Sequence, residues 1–146
     1  MKFITKITSA LLLTFGLVNA SEYVIDETHT NVGFSVKHMM ITNVSGKFND
    51  VSGTFEYDEK TNTLKALEGE IIVASIDTAN EKRDTHLKEE ELFDATKFPK
   101  ITFKLTKIDG EKVYGDLTMK GITKNIELEL ENGGTVTDPW GKQRAG

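Results

Sequence analysis

The chain has 146 residues, 38% hydrophobic and 28% charged, with a net charge of −5 and no cysteine. That length suits one domain around one hydrophobic core. The acidic balance argues against nucleic acid and against electrostatic docking on anionic lipid, since both reward basic patches; the missing cysteine excludes disulfides and thiol chemistry.

Residues 1–20 read as a cleavable secretory signal. Met1, Lys2 and Lys6 form a positive start, and Leu11-Leu12-Leu13-Thr14-Phe15-Gly16-Leu17-Val18 form an apolar centre. Val18-Asn19-Ala20 then offers the small residues that a signal peptidase reads, which places the cut after Ala20. The apolar run is too short to span a bilayer, and Ser21-Glu22-Tyr23 has no stop-transfer character. Residues 21–146 are expected to form one exported domain.

Period-two alternation dominates that domain. Val32, Phe34 and Val36 share one face of a strand, opposite Gly33, Ser35 and Lys37. Val51, Gly53, Phe55 and Tyr57 do the same, as do Leu67, Gly69, Ile71 and Val73. Further runs follow at Ile101, Phe103 and Leu105, at Val113, Gly115, Leu117 and Met119, and at Ile126, Leu128 and Leu130. One dry face and one wet face is the signature of antiparallel sandwiches and barrels. Turn residues fall between the runs, at 57–62, Asp109-Gly110 and Lys120-Gly121. The pattern predicts an all-β fold of about seven strands.

Two helical excursions are expected. From Asn80 to about Ala95 the spacing turns helical, with Asn80 as N-cap and Glu81 in the first turn; a shorter helical turn is predicted at His38-Met39-Met40-Ile41. Gly33, Gly53, Gly69 and Gly115 sit inside strand runs, marking either strong sheet curvature with close backbone approach or ordinary tolerance near strand ends.

Catalytic motifs are sparse. His29, His38 and His86 lie too far apart for the close histidine pair common in zinc sites, so neither a metal nor another cofactor is expected. Glu89-Glu90-Glu91 reads as a solvated face, and no Gly-x-Ser-x-Gly or phosphate loop occurs. The densest polar run is Arg83-Asp84-Thr85-His86-Leu87, where Arg83 could hold the Asp77 carboxylate. It reads either as a helix pinned to a barrel rim or as a polar lid over a ligand head group.

A family resemblance rests on an ordered set of short motifs. The set opens with Asp26-x-x-His29-Thr30, Val32-x-Phe34-x-Val36-x-His38, Phe48, Gly53-Thr54-Phe55 and Ser75-Ile76-Asp77-Thr78. Arg83-Asp84-x-His86-Leu87, Leu92-Phe93 and Phe98-Pro99-x-Ile101-x-Phe103 follow. Gly115-Asp116-Leu117-Thr118-Met119-x-Gly121-x-Thr123-Lys124 and Asp138-Pro139-Trp140-Gly141 complete it. Together they resemble the YceI-like periplasmic proteins, also described as polyisoprenoid-binding proteins. The resemblance implies a lipocalin-like, eight-stranded antiparallel β-barrel in the periplasm. Its ligand would be a long apolar chain: an isoprenoid quinone, another polyisoprenoid or a fatty-acid derivative.

The inward candidates are Phe34, Val36, Phe48, Phe55, Ile71, Val73, Phe103, Leu117 and Met119, each open to two readings, pocket lining or plain core packing. His29, His38, Arg83 and His86 are the polar candidates at the mouth. Family members continue past the Asp-Pro-Trp-Gly segment, so one or two C-terminal barrel strands are expected to be missing from a chain ending at Arg144-Ala145-Gly146. Expected partners are a long-chain isoprenoid or acyl lipid, a transient membrane contact and a second copy of the chain. The alternatives are a stress-related enzyme or chaperone-like factor on the same barrel, and a haem- or metal-binding accessory protein.

Overall fold

The computed structural model describes residues 20–146, so the predicted leader up to Asn19 lies outside the described residues. The alternating runs become antiparallel sheet. Strands β1 (Ser21–Val24), β4 (Val51–Asp58), β5 (Thr63–Ile72), β7 (Lys100–Asp109), β8 (Lys112–Met119) and β9 (Ile122–Glu129) pair in the order β1-β4-β5-β7-β8-β9. A second sheet joins β2 (Val32–His38), β3 (Thr42–Phe48) and β6 (Ile76–Asp77), and β10 (Thr135–Thr137) pairs with β11 (Gln143–Ala145). Among the described residues the fold is all-β with one short α-helix, α1 (Glu81–Leu87). Among the described residues β1 and β9 are the outer strands of the six-stranded ladder.

Register decides which side chains meet. Val51 lies opposite Ile71, Ile71 opposite Ile101, Phe103 opposite Leu117, and Gly115 opposite Ile126. Cross-strand partners share a face, so these residues line one continuous apolar surface. Bulges shift the register at Glu56/Tyr57 and at Leu105/Lys107, where the sheet bends.

The main core cluster lies over β4, β5 and β7, while Tyr57 and Val113 are buried apart from it, toward the other ends of their strands. Phe48, Val51, Val73, Ile76 and Ile101 are buried together, with Phe34, Ile71, Leu87, Phe93 and Leu117 packed against them. Val73, in a 3₁₀ turn (Val73–Ser75) between β5 and β6, is the most enclosed of the core side chains. Burying a side chain of this size stabilises the fold by about 1.5–3 kcal/mol. Strand glycines divide between the two expected readings. A Cβ at Gly53 would lie 2.3 Å from the Glu68 carbonyl, and one at Gly115 would lie 2.2 Å from the Phe103 ring, so there the backbone approach is close. Gly33 and Gly69 meet nothing nearer than 3.5 and 3.8 Å.

Three expectations change. The helix ends at Leu87, well short of Ala95. Beyond it the Phe93 amide returns to the Leu87 carbonyl at 3.0 Å and the Ala95 amide to that of Lys88 at 3.1 Å, while Asp94 adopts φ 50°. These turns bring the Phe93 ring edge-on to Phe48 at 6.2 Å. A continued helix would instead have stacked Glu89, Glu90 and Glu91, and burying the aromatic ring outweighs those extra backbone bonds. The predicted helical turn at 38–41 is a hairpin turn of the opposite hand. Met39 and Met40 lie at φ 50° and 62°, and the Ile41 amide donates to the His38 carbonyl at 3.3 Å. That turn joins β2 to β3, a strand the alternation reading passed over.

Candidate ligand-binding site

The helix is fixed before it can form a site. Asn80 Oδ1 accepts from the Arg83 amide at 3.0 Å, the predicted N-cap. Arg83 does not hold Asp77. Its Nε donates to Thr78 Oγ1 at 2.8 Å and its Nη2 to the Thr78 carbonyl at 2.7 Å. Asp84 Oδ1 accepts from the Thr78 amide at 2.9 Å and from the Thr78 hydroxyl at 2.5 Å. Thr78 is buried and satisfied on every side. Asp77 takes the Ala79 amide at 2.9 Å and Asn49 Nδ2 at 3.4 Å, contacts that hold its carboxyl below the usual carboxylate range. The Arg83-Asp84 pair therefore pins α1 to the strand end at Thr78.

So pinned, the helix and the turns after it roof an apolar trough. A cavity of about 490 Å³ lies between Leu87, Leu92 and Phe93 on the roof and Leu117, Met119, Ile122 and Ile126 on the inner face of β8 and β9. Glu91 and Lys120 stand at its edge, Lys124 interrupts the β9 floor between Ile122 and Ile126, and Lys120 Nζ donates to the Glu90 carbonyl at 2.9 Å. Met119, Ile122 and Leu92 are 41%, 61% and 37% exposed, so this apolar surface is only partly covered. At the β8–β9 turn Gly121 (φ 73°) brings the backbone against Phe98.

The predicted lining residues separate into groups. Phe34, Phe48, Ile71 and Val73 belong to the packed core, and Leu117 bridges core and trough. Met119 lines the trough itself. Phe103 lies over Gly115 on the same sheet face. Phe55 stacks on Tyr23 at 5.1 Å, away from the trough. Val36 is 54% exposed near the free end of the β2–β3 hairpin, with His38 beside the turn. Leu87, Leu92, Phe93, Ile122 and Ile126 were not among the predicted lining residues. Their signal was the apolar Leu92-Phe93 pair beside the acidic run, and the Ile122 to Ile126 spacing.

The polar candidates lie outside the trough. His86 Nδ1 is 2.9 Å from Glu89 Oε2, and with Glu91 these ligand atoms fall within 4.8 Å of one another on an exposed surface. His29 Nδ1 is 3.0 Å from Asp26 Oδ2 and 2.9 Å from Thr28 Oγ1. The Thr28 hydroxyl, then His29, hold the Asp26 carboxyl far below its ordinary range, and Arg144 adds a contact at 2.9 Å. This cluster flanks a larger, more polar cavity of about 820 Å³ between β1 and the β10–β11 hairpin, where Trp140 is exposed. The Tyr23 hydroxyl donates to Glu59 at 2.5 Å, and the carboxylate pushes the phenol up to about 12.

Known proteins resemble this chain in sequence and fold. A UPF0312 protein of Vibrio campbellii is 38% identical over 151 residues, spanning 99% of this chain and 79% of that protein. A UPF0312 protein of Yersinia enterocolitica is 38% identical over 143 residues, spanning 94% and 74%. Among solved structures, the Campylobacter jejuni YceI protein superposes with a TM-score of 0.67 at 40% identity, covering 86% of this chain and 76% of that one. BcnA of Burkholderia cenocepacia shares the fold at a TM-score of 0.67 and 22% identity, covering 77% and 74%. The family model for the YceI-like domain matches residues 23–144, almost all of the described chain, and the protein is a member of the YceI-like family.

Proposed function

We propose that the protein is an exported, periplasmic binding protein that shelters a long apolar chain, an isoprenoid or acyl lipid, along the inner face of its sheet. One observation carries this reading: the half-covered apolar trough beneath α1, about 490 Å³ in volume. Its size falls within the roughly 300–1,000 Å³ of small-molecule sites, and it matches them in being apolar with a few polar groups at the edge. Lys120 and Lys124 would face an anionic head group while the tail lies against Leu117, Met119 and Ile126.

Physical chemistry favours carriage over catalysis here. Each methylene withdrawn from water contributes about 0.8 kcal/mol. In the membrane the same chain is equally dry, so transfer between bilayer and protein is nearly balanced and can run either way. The groups whose ionisation is most perturbed, Tyr23 and Asp26, lie by β1 and not in the trough. The leader-like sequence at 1–20 supports an address beside a membrane.

The test is organic extraction of the purified protein followed by mass spectrometry. A stoichiometric isoprenoid or acyl chain is expected. Clean extracts from several preparations, with no uptake of added quinone or fatty-acid amide, would overturn the reading.

A further inference from the structure

The β2–β3 hairpin ends in three consecutive apolar residues with almost no protein around them. Met39, Met40 and Ile41 are 76%, 91% and 84% exposed. The turn holds both methionines in the left-handed region, at φ 50° and 62°, where glycine or asparagine is the usual choice. A hairpin turn built only to reverse the chain would use those polar or small residues. Here the turn instead presents two flexible thioethers and a branched aliphatic side chain to solvent.

Charge around the tip is just as uneven. The sequence holds 23 Asp and Glu, yet none falls within residues 28–49. In that stretch Lys37 and His38 stand beside the turn, while Lys47 lies back at the root of the hairpin across from Asp77. The molecule as a whole is acidic, at −5, so the overall charge hides a locally basic end. An apolar tip with a lysine beside it and no carboxylate in either of its strands complements an anionic lipid surface: the side chains enter the acyl boundary while the Lys37 ammonium meets the head groups. The acidic remainder is repelled by the same surface, which orients the molecule tip first.

We infer that the β2–β3 turn, Met39-Met40-Ile41 with Lys37 beside it, is a docking tip for anionic bilayers. Contact through so few side chains is weak and reversible. This docking does not depend on what the trough holds, and vesicle binding and lipid extraction are separate measurements.

The experiment is sedimentation of the protein from Ser21 onward, which carries the whole described fold, with phosphatidylglycerol-containing vesicles and with pure phosphatidylcholine as reference. Binding to the anionic vesicles is expected, weakening as salt is raised. Replacing Met39, Met40 and Ile41 together by serine should lower partitioning about tenfold or more. The charge reversal K37E should lower it at least about fivefold, and K47E, at the root of the hairpin, should lower it less. A second readout avoids any effect on folding: an environment-sensitive dye on M40C, in a chain with no other thiol, should shift to the blue on adding vesicles, while the same dye on E111C should not. No binding to anionic vesicles, binding untouched by the tip substitutions, or equal dye shifts at both positions would overturn the inference. So would tip-dependent dimerisation without vesicle binding, which would assign the tip to self-association.

Discussion

Across the strand order, the β4–β5–β7 end and the β8–β9 end of the sheet's inner face carry the same kind of sequence and meet different fates. Around Val51, Ile71 and Ile101 the apolar side chains are closed over by Phe48, Val73 and Ile76. Around Met119, Ile122 and Ile126 the covering layer is a short helix and a loop, and the surface stays half open. Alternation specifies which face is dry. Whether that face is filled depends on what crosses it, and here the crossing element is fixed by one buried threonine. The closed end holds the fold together, and the open end is left available for a ligand.

This contrast predicts opposite responses to similar substitutions. The largest effect is expected at the closed end: Ile101→Ala should cost about 2–4 kcal/mol in urea unfolding, while Ile122→Ala should stay within about 1 kcal/mol. Equal costs would mean that the open end is as tightly packed as the other. Next comes Ile126→Asp, which places a charge in the trough; retention of a bound acyl or isoprenoid chain should fall about tenfold or more in a variant that stays folded. Unchanged retention would move the ligand off this face.

Smaller effects test the roof and the far side. Asn80→Ala removes the cap of α1 and should cost about 1 kcal/mol. Because that helix covers the trough, amide exchange should quicken across Glu81–Leu87 and not in β7. The smallest change is expected for Asp26, remote from both ends. Its carboxyl is held below the ordinary value in the folded state, so its stabilising contribution is present above about pH 4 and is lost as pH falls further. Asp26→Asn should flatten the acid limb of a urea-midpoint against pH curve without altering lipid retention. An unchanged limb would show that this network does not set acid stability.

Particular residues show what the sequence made legible. The runs at Val51–Tyr57, Ile101–Leu105 and Val113–Met119 put their apolar positions on the face that the register confirms. Strand β3 escaped because one of its inward positions is Gly46, which leaves only Val44 and Phe48 to carry the alternation. The 38–41 turn was misread because methionines give no sign of a left-handed backbone. The helix was drawn too long because residues 88–91 keep good helical propensity, and only the contact of Phe93 with Phe48 shows why the chain leaves the helix. The apolar inner face was visible in outline, and so was a helix that is pinned at its rim or covers it. The anchor of that helix was not, since the tie from Arg83 to Thr78 leaves no periodic trace.

One detail of the second sheet governs how the hairpin moves. Phe34 lies directly across the ladder from Gly46, and a Cβ at Gly46 would lie 2.5 Å from the ring and 2.8 Å from Thr78 Cγ2. The glycine lets ring and threonine close together beside the anchor of α1. Strand β3 then pairs with β6 only through Lys47 and Phe48. The hairpin is thus a cantilever, clamped at its root and unsupported toward Met40. Fluctuation grows with distance from such a clamp, so amide protection should fall along β2 from Phe34 to His38. The same lever would let the tip adjust its angle to a surface while the root, and the helix anchored beside it, stay still.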